Sequence, residues 1–293
     1  MEDNLDIDIE EKKKENSRIY VLFYSFFLIP FMIAVFGAVF FLLFRFITYE
    51  TNDASELLNQ VKIGAASKRW QSAFELSKIL SDPELVPTDD NFKQQLISAY
   101  KKSIHDDPKV RSFLAMAIGS TKDSTYGQAL SDGLDDENQD TRLAAIQATG
   151  MVRFKGSISK IDRIIQNSSD QGEKLAATIA LGMVGEKKAI PTLVKLLEDE
   201  EPNIRWDAAI ALAKMGDKSG VNIISRLLDR SYLKDFKEVN VNEQKQVIKV
   251  AIRISTILKD AKFKEKLQVL AKTDEDLSIR NLAIKTLEKS YNN

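Results

Sequence analysis

Hydrophobic and polar positions divide this chain near residue 50. Residues 19–44 read IYVLFYSFFLIPFMIAVFGAVFFLLF, without a single charged side chain. Beyond Thr51 the apolar positions recur with helical spacing, and hardly any stretch alternates as a strand would. The first region predicts a membrane-spanning helix, the second a set of short helices.

The helical region repeats itself. Its clearest unit is IRWDAAIALAKMG, Ile204 to Gly216, and related copies begin at Thr141 and Glu173. Basic residues mark the register at Arg111, Arg142, Lys174 and Arg205, spaced by 31, 32 and 31 residues. Three positions later come Leu114, Ala145, Ala177 and Ala208, and six positions later Ala117, Ala148, Ala180 and Ala211. These fall on one helix face and let two helices approach closely. At the eighth position stand Gly119, Gly150, Gly182 and Ala213, near an expected helix end where glycine can turn left-handed. Acidic turns precede the helices, as in DENQDTR and DEEPNIR, where carboxylates suit free amides and the positive helix end. Pro108 and Pro202 sit where a missing amide hydrogen costs little. A second helix follows each unit's first, as in AIPTLVKLLED and GVNIISRLLDR. A fixed period of this length predicts a solenoid whose units bury their apolar faces against one another.

The acidic turn, the basic residue, the alanines and the Ala-Leu-Gly ending resemble the HEAT repeat family, particularly the short HEAT-like repeats of the bilin lyase subunits of phycobilisome assembly. The resemblance is strongest over residues 105–230. It extends to KRWQSAFELSKIL through Arg69, Trp70, Ala73 and Leu76, and to SIRNLAIKTLEKS through Arg280 and Ala283. It implies an all-α, right-handed solenoid of about six or seven helical hairpins behind one transmembrane helix. The domain reading is a disordered cytoplasmic tail over 1–18, a transmembrane signal anchor over 19–47 and a HEAT-like domain over 48–293. Within that domain, 48–104 is irregular, 105–230 regular, 231–243 an insertion (an elongated turn or an extra helical turn) and 244–293 two C-terminal repeats.

The 26 residues of the apolar run suffice for a hydrocarbon core about 30 Å thick. A cleavable signal peptide would have a shorter apolar core and a small-x-small site, which FLLFRFITYE lacks. Pro30 is a point for a kink, and Tyr20, Tyr24 and Tyr49 suit the interfaces. Lys12, Lys13, Lys14 and Arg18 precede the run, and only Arg45 follows it before Lys62. That bias places the N-terminus in the cytoplasm and the repeats outside, which for a bacterial inner membrane is the periplasm. With no cysteine, such a domain relies on its core, and thiolate metal sites are excluded. A net charge of −1 argues against a general nucleic-acid binder, including the HEAT-like repeats of alkylation-repair glycosylases.

Candidate chemistry is sparse. The second helices carry Asp132, Arg163, Lys195 and Arg226 at equivalent positions, with Asp135, Gln166, Glu198 and Asp229 three residues on. Arg163, Lys195 and Arg226 then form either a basic stripe for an acidic peptide segment or one half of solvated pairs such as Lys195–Glu198 and Arg226–Asp229. Arg111, Arg142, Lys174, Arg205 and Arg280 read as ties between stacked turns. Trp70 and Trp206 mark a partner surface if exposed and helix packing if buried. His105, the only histidine, occupies a turn position held elsewhere by Asp136, Ser168, Asp199 and Asp274. No metal site, cofactor loop, nucleophile elbow or catalytic motif is expected. The reading that follows is a membrane-anchored, non-enzymatic adaptor for a protein partner, such as an accessory subunit of an envelope transport or assembly complex. The bilin-lyase resemblance implies the alternative, a lyase-like enzyme or chaperone.

Overall fold

The computed structural model describes residues 24–47, 53–237 and 239–291, and these fall into two units, within 1–52 and within 53–293. The expected tail over 1–18, the start of the anchor with Tyr20, Tyr49, and Lys12, Lys13, Lys14 and Arg18 lie outside the described residues.

In the first unit a π-helical turn, Tyr24–Leu28, leads into α1, Ile29–Ile47. Pro30 therefore sits where a wide turn meets an α-helix, which accommodates a ring that would clash with a carbonyl one turn back. Residues 26–44 have a mean hydropathy of 2.7, and none of that window is buried. Phe26, Phe40 and Phe41 are each more than 60% exposed, so the helix presents a large apolar surface and is long and apolar enough to cross a membrane.

The second unit contains only helices and turns among its described residues. Its α-helices are α2 (Ala54–Ile63), α3 (Ala66–Ile79), α4 (Asp90–Lys102), α5 (Pro108–Ser120), α6 (Gly127–Asp132), α7 (Gln139–Met151), α8 (Ile158–Asn167) and α9 (Gln171–Val184). They continue with α10 (Ile190–Leu196), α11 (Pro202–Lys214), α12 (Val221–Leu227), α13 (Arg230–Lys234), α14 (Val241–Leu258), α15 (Ala261–Thr273) and α16 (Leu277–Ser290). One layer stacks α3, α5, α7, α9, α11, α14 and α16, each against the next, except that α14 lies between α11 and α16 without the 31-residue period. The other layer holds α2, α4, α6, α8, α10, α12 and α15. The element α13 is the inserted segment, and it is an extra helical turn.

Caps follow from the acidic turns. Asp89, Asp107, Asp170 and Asp276 accept backbone hydrogen bonds at the starts of α4, α5, α9 and α16, at 2.7–2.9 Å. Asn240 and Glu243 close a reciprocal capping box on α14. Glu201 makes no side-chain cap, but Pro202 opens α11 with no amide hydrogen to satisfy.

The small residues at the third and sixth repeat positions are buried, as the spacing predicts, and form the seam between successive helices of the first layer. The eighth position has another role than expected. Gly119 and Gly150 are the penultimate residues of α5 and α7 and Gly182 lies two before the end of α9, near the helix ends as the pattern predicts, but none of them turns left-handed. A Cβ on Gly119 would stand 2.8 Å from the Ala148 Cα, and one on Gly150 2.9 Å from the Ala180 Cα. These glycines permit close approach of neighbouring units. The left-handed position comes three residues later in every regular unit: Lys122 (φ 55°), Arg153 (φ 54°), Gly185 (φ 71°) and Gly216 (φ 78°).

A candidate partner surface and the ladder behind it

Repeat geometry places the cations of the sequence pattern on two different edges. Those of the first layer form a ladder from turn to turn. Arg69 holds Asp106, with Nη1 to Oδ1 at 3.1 Å, and also donates to the Val61 carbonyl at 2.7 Å. Arg111 holds Asp136 at 2.5 Å and donates to the Tyr100 carbonyl at 3.0 Å. Arg142 holds Glu173, and Lys174 holds Asp199. The turn position that supplies Asp136 and Asp199 is Ser168 in the unit between. There Glu173 provides the carboxylate instead, and Ser168 donates to it at 2.5 Å. Burial alone would raise the Asp136 carboxyl, but hydrogen bonds from Thr141, Asn138 and Arg111, with the Arg111 charge, hold it below the usual range.

The ladder breaks at Arg205. Its Nη1 donates to its own turn's carbonyls, Asp199 at 2.6 Å and Glu200 at 2.8 Å, and no carboxylate pairs with it among the described residues. Val239 occupies the position where the next acid would stand. Asp274, the acid two units on, is instead gripped by Arg230 of the insertion at 2.7 and 2.9 Å. Arg280 donates to the Asp274 carbonyl at 2.7 Å. Arg230 was not singled out from sequence, since it stands outside the repeat. Lys245 takes the ladder register on α14 and pairs with Asp276 at 2.9 Å.

The two tryptophans differ. Trp70 is half-buried and stacks near Phe113 at 6.3 Å, with Lys109 over its ring at 5.6 Å. Trp206 is 4% exposed and meets Phe236 edge-on at 5.0 Å and Tyr232 at 6.4 Å. The expectation that Trp206 belongs to a partner surface is corrected: the insertion's aromatics cover it. Next to it, Asp207 stands where other units carry Ala144 or Ala176, and burial pushes its carboxyl up to about 6.

Arg163, Lys195 and Arg226 lie on α8, α10 and α12 of the second layer, and all three are exposed. Neither Lys195–Glu198 nor Arg226–Asp229 forms an ion pair. The reason is local, for α10 ends at Leu196 and α12 at Leu227, so Glu198 and Asp229 leave the helical register. Neighbouring units also take the nearby carboxylates. Lys160 bonds Asp135 at 2.7 Å, Lys266 bonds Asp229 at 2.7 Å, and Thr192 donates to Asp162. Among the described residues the stripe has no acidic partner, and Tyr232 lies 6.0 Å from the Arg226 guanidinium. His105 is exposed, and no cluster of three His, Asp or Glu side chains fit for a metal occurs among the described residues.

The family model for HEAT repeats matches residues 94–178 and 161–239. No curated protein matches the chain. Among solved structures, the CpcE–CpcF complex of phycocyanin lyase from Nostoc is similar at a TM-score of 0.56 and 16% identity, covering 82% of this chain and 88% of that one. An engineered protein reaches a TM-score of 0.46 at 18% identity, covering 81% and 96%. A designed armadillo repeat protein in complex with the peptide (KR)4 reaches 0.39 at 17%, covering 80% and 97%. Identities this low speak for the fold alone. The paired helix layers, the small-residue seam and the turn-to-turn ladder accompany the family match, and over residues 94–239 the chain matches the HEAT repeats.

Proposed function

We propose that this chain is a membrane-anchored, non-enzymatic adaptor that grips an acidic segment of a protein partner along its second helix layer. The observation that carries the reading is the row Arg163, Lys195 and Arg226, exposed on successive second-layer helices and free of ion pairs among the described residues. Cations that neighbouring carboxylates do not neutralise keep their long-range attraction for a partner and steer its approach. The residues that define the repeat have structural work of their own in the seam, the caps and the ladder, which leaves binding to the surface. The anchor rests on the helix at 26–44, which is long and apolar enough to cross a membrane. Tethering would raise the effective concentration near other membrane proteins. The lysine-rich flank favours a cytoplasmic N-terminus and an extracytoplasmic solenoid, in keeping with an accessory subunit of an envelope complex.

The test is crosslinking and pulldown of the full-length protein from native membranes. One stoichiometric membrane partner, lost when Arg163, Lys195 and Arg226 are all reversed to glutamate, supports the adaptor. A partner retained by that triple variant places binding elsewhere. Partner capture unchanged by deletion of residues 19–47 removes the anchor from the mechanism.

A further inference from the structure

The turns that join the second layer to the first all lie along one edge of the stack, and their chemistry changes abruptly along it. The later turns are acidic: Asp135, Asp136, Glu137 and Asp140 in one, Glu198 to Glu201 in another, Asp274 to Asp276 in a third. The first two are the opposite. Residues 61–69 and 99–109 together hold six Lys and Arg against two carboxylates. Both carboxylates are engaged, Asp106 by Arg69 and Asp107 as the cap of α5. Among the described residues Lys62, Lys68, Lys101, Lys102 and Lys109 have no ion pair, and Lys62 donates to the neutral Gln95 at 3.0 Å.

Two large apolar side chains stand out among these lysines. Ile63, the last residue of α2, is 76% exposed, and Ile104, in the turn just after α4, is 57% exposed. A recess of about 240 Å³ opens between the two turns, with Val61, Ala99 and Leu114 in its floor and Lys62 and Lys102 at its rim.

We infer that this edge of the first two units docks on an anionic lipid bilayer, with the five lysines on the headgroups and Ile63 and Ile104 entering the interface. Lysines attract an anionic surface, and exposed apolar side chains add burial at the headgroup boundary. The acidic turns further along are repelled by the same surface, so the charge reversal orients the solenoid as well as binding it. The inference rests on the anchored reading of residues 19–47.

The experiment is amide hydrogen exchange on the full-length protein in liposomes of pure phosphatidylcholine and in liposomes with phosphatidylglycerol added. Flotation after a carbonate wash is measured first. Protein that fails to float refutes the anchor, and with it the basis of this inference. For protein that floats, exchange in residues 61–69 and 99–109 is expected to slow roughly tenfold or more in the anionic liposomes at low salt, and the slowing to fade at high salt. It should vanish when Lys62, Lys68, Lys101, Lys102 and Lys109 become glutamate, while residues 135–140 and 198–201 stay unchanged. Equal exchange in both lipids, or protection at the acidic turns instead, overturns the inference while leaving the anchor intact.

Discussion

The stretch from Arg69 to Asp199 and the stretch from Arg205 to Asp274 solve one problem by different chemistry. In the first, each unit hands a cation to the next turn's acid, rung after rung. In the second the next acid is missing, and the insertion closes the gap. Its aromatics, Tyr232 and Phe236, pack on Trp206, and its Arg230 reaches past to Asp274. Stacking in a solenoid needs each interface filled and each buried charge paired, and a fixed set of residues is only one way to meet that need.

The largest expected effect falls on the long-reach tie. The Asp274 side chain is fully buried and holds Arg230, itself only 14% exposed. Asp274→Ala removes the buried, two-pronged partner of that guanidinium and leaves it only the exposed Glu275 at 3.1 Å, so it should cost about 3 kcal/mol. Arg205→Ala loses only hydrogen bonds to two carbonyls and should cost on the order of 1 kcal/mol. Urea unfolding of the detergent-solubilised chain compares them; equal losses would erase the distinction between broken and intact rungs.

Next comes the seam of the regular units. Gly150→Ala drives a methyl against Ala180 and should cost about 1–3 kcal/mol through overpacking. Gly172→Ala serves as the contrast, since its nearest neighbour is the Asp170 carboxylate at 3.2 Å rather than another helix's backbone. Thermal melts of the two variants should separate clearly.

Asp207 sharpens the comparison through pH. Its folded value, about 6, lies above the ordinary 3.8. Between those values the unfolded chain has ionised while the folded one still holds its proton, so stability falls as pH rises from about 4 to about 6. Asp207→Asn should flatten that slope and gain on the order of 1–2 kcal/mol at neutral pH, after discounting for incomplete burial. Denaturation midpoints across this range provide the check, and a slope unchanged in the variant would assign the effect elsewhere.

The smallest effect belongs to the left-handed turns. Lys122 and Arg153 adopt the backbone that Gly185 and Gly216 adopt in equivalent units. Lys122→Gly and Arg153→Gly relieve the strain of a Cβ there, partly offset by a looser unfolded chain, for a net gain of a few tenths to about 1 kcal/mol. A calorimetric melt that moves downward for both would refute it.

Much of this was legible in the residues. The period located the buried small positions, the acidic turns located the caps, and Arg111 with Arg142 stood in line for the ladder. What escaped did so for identifiable reasons. Glycine at the eighth position does stand near the helix end, but the left-handed turn comes three residues later, and what keeps Gly150 small is the Ala180 backbone of the next helix. Lys195–Glu198 looked like a pair by spacing, but α10 stops before the register reaches Glu198. Arg230 and Asp274 are 44 residues apart and belong to no common pattern. Trp206 could not be placed until Tyr232 and Phe236 lay over it.

By itself, then, the order of residues determined the local and periodic features: an apolar helix, capped short helices, and a register in which small side chains face one another. These depend on neighbours within a turn or one repeat away, where spacing along the chain stands for distance in space. The tertiary structure alone decided which charges are paired, which aromatic ring is covered and which cations stay free. Those outcomes depend on where helices stop and how an insertion folds back, and each sums contacts from segments that spacing along the chain does not relate.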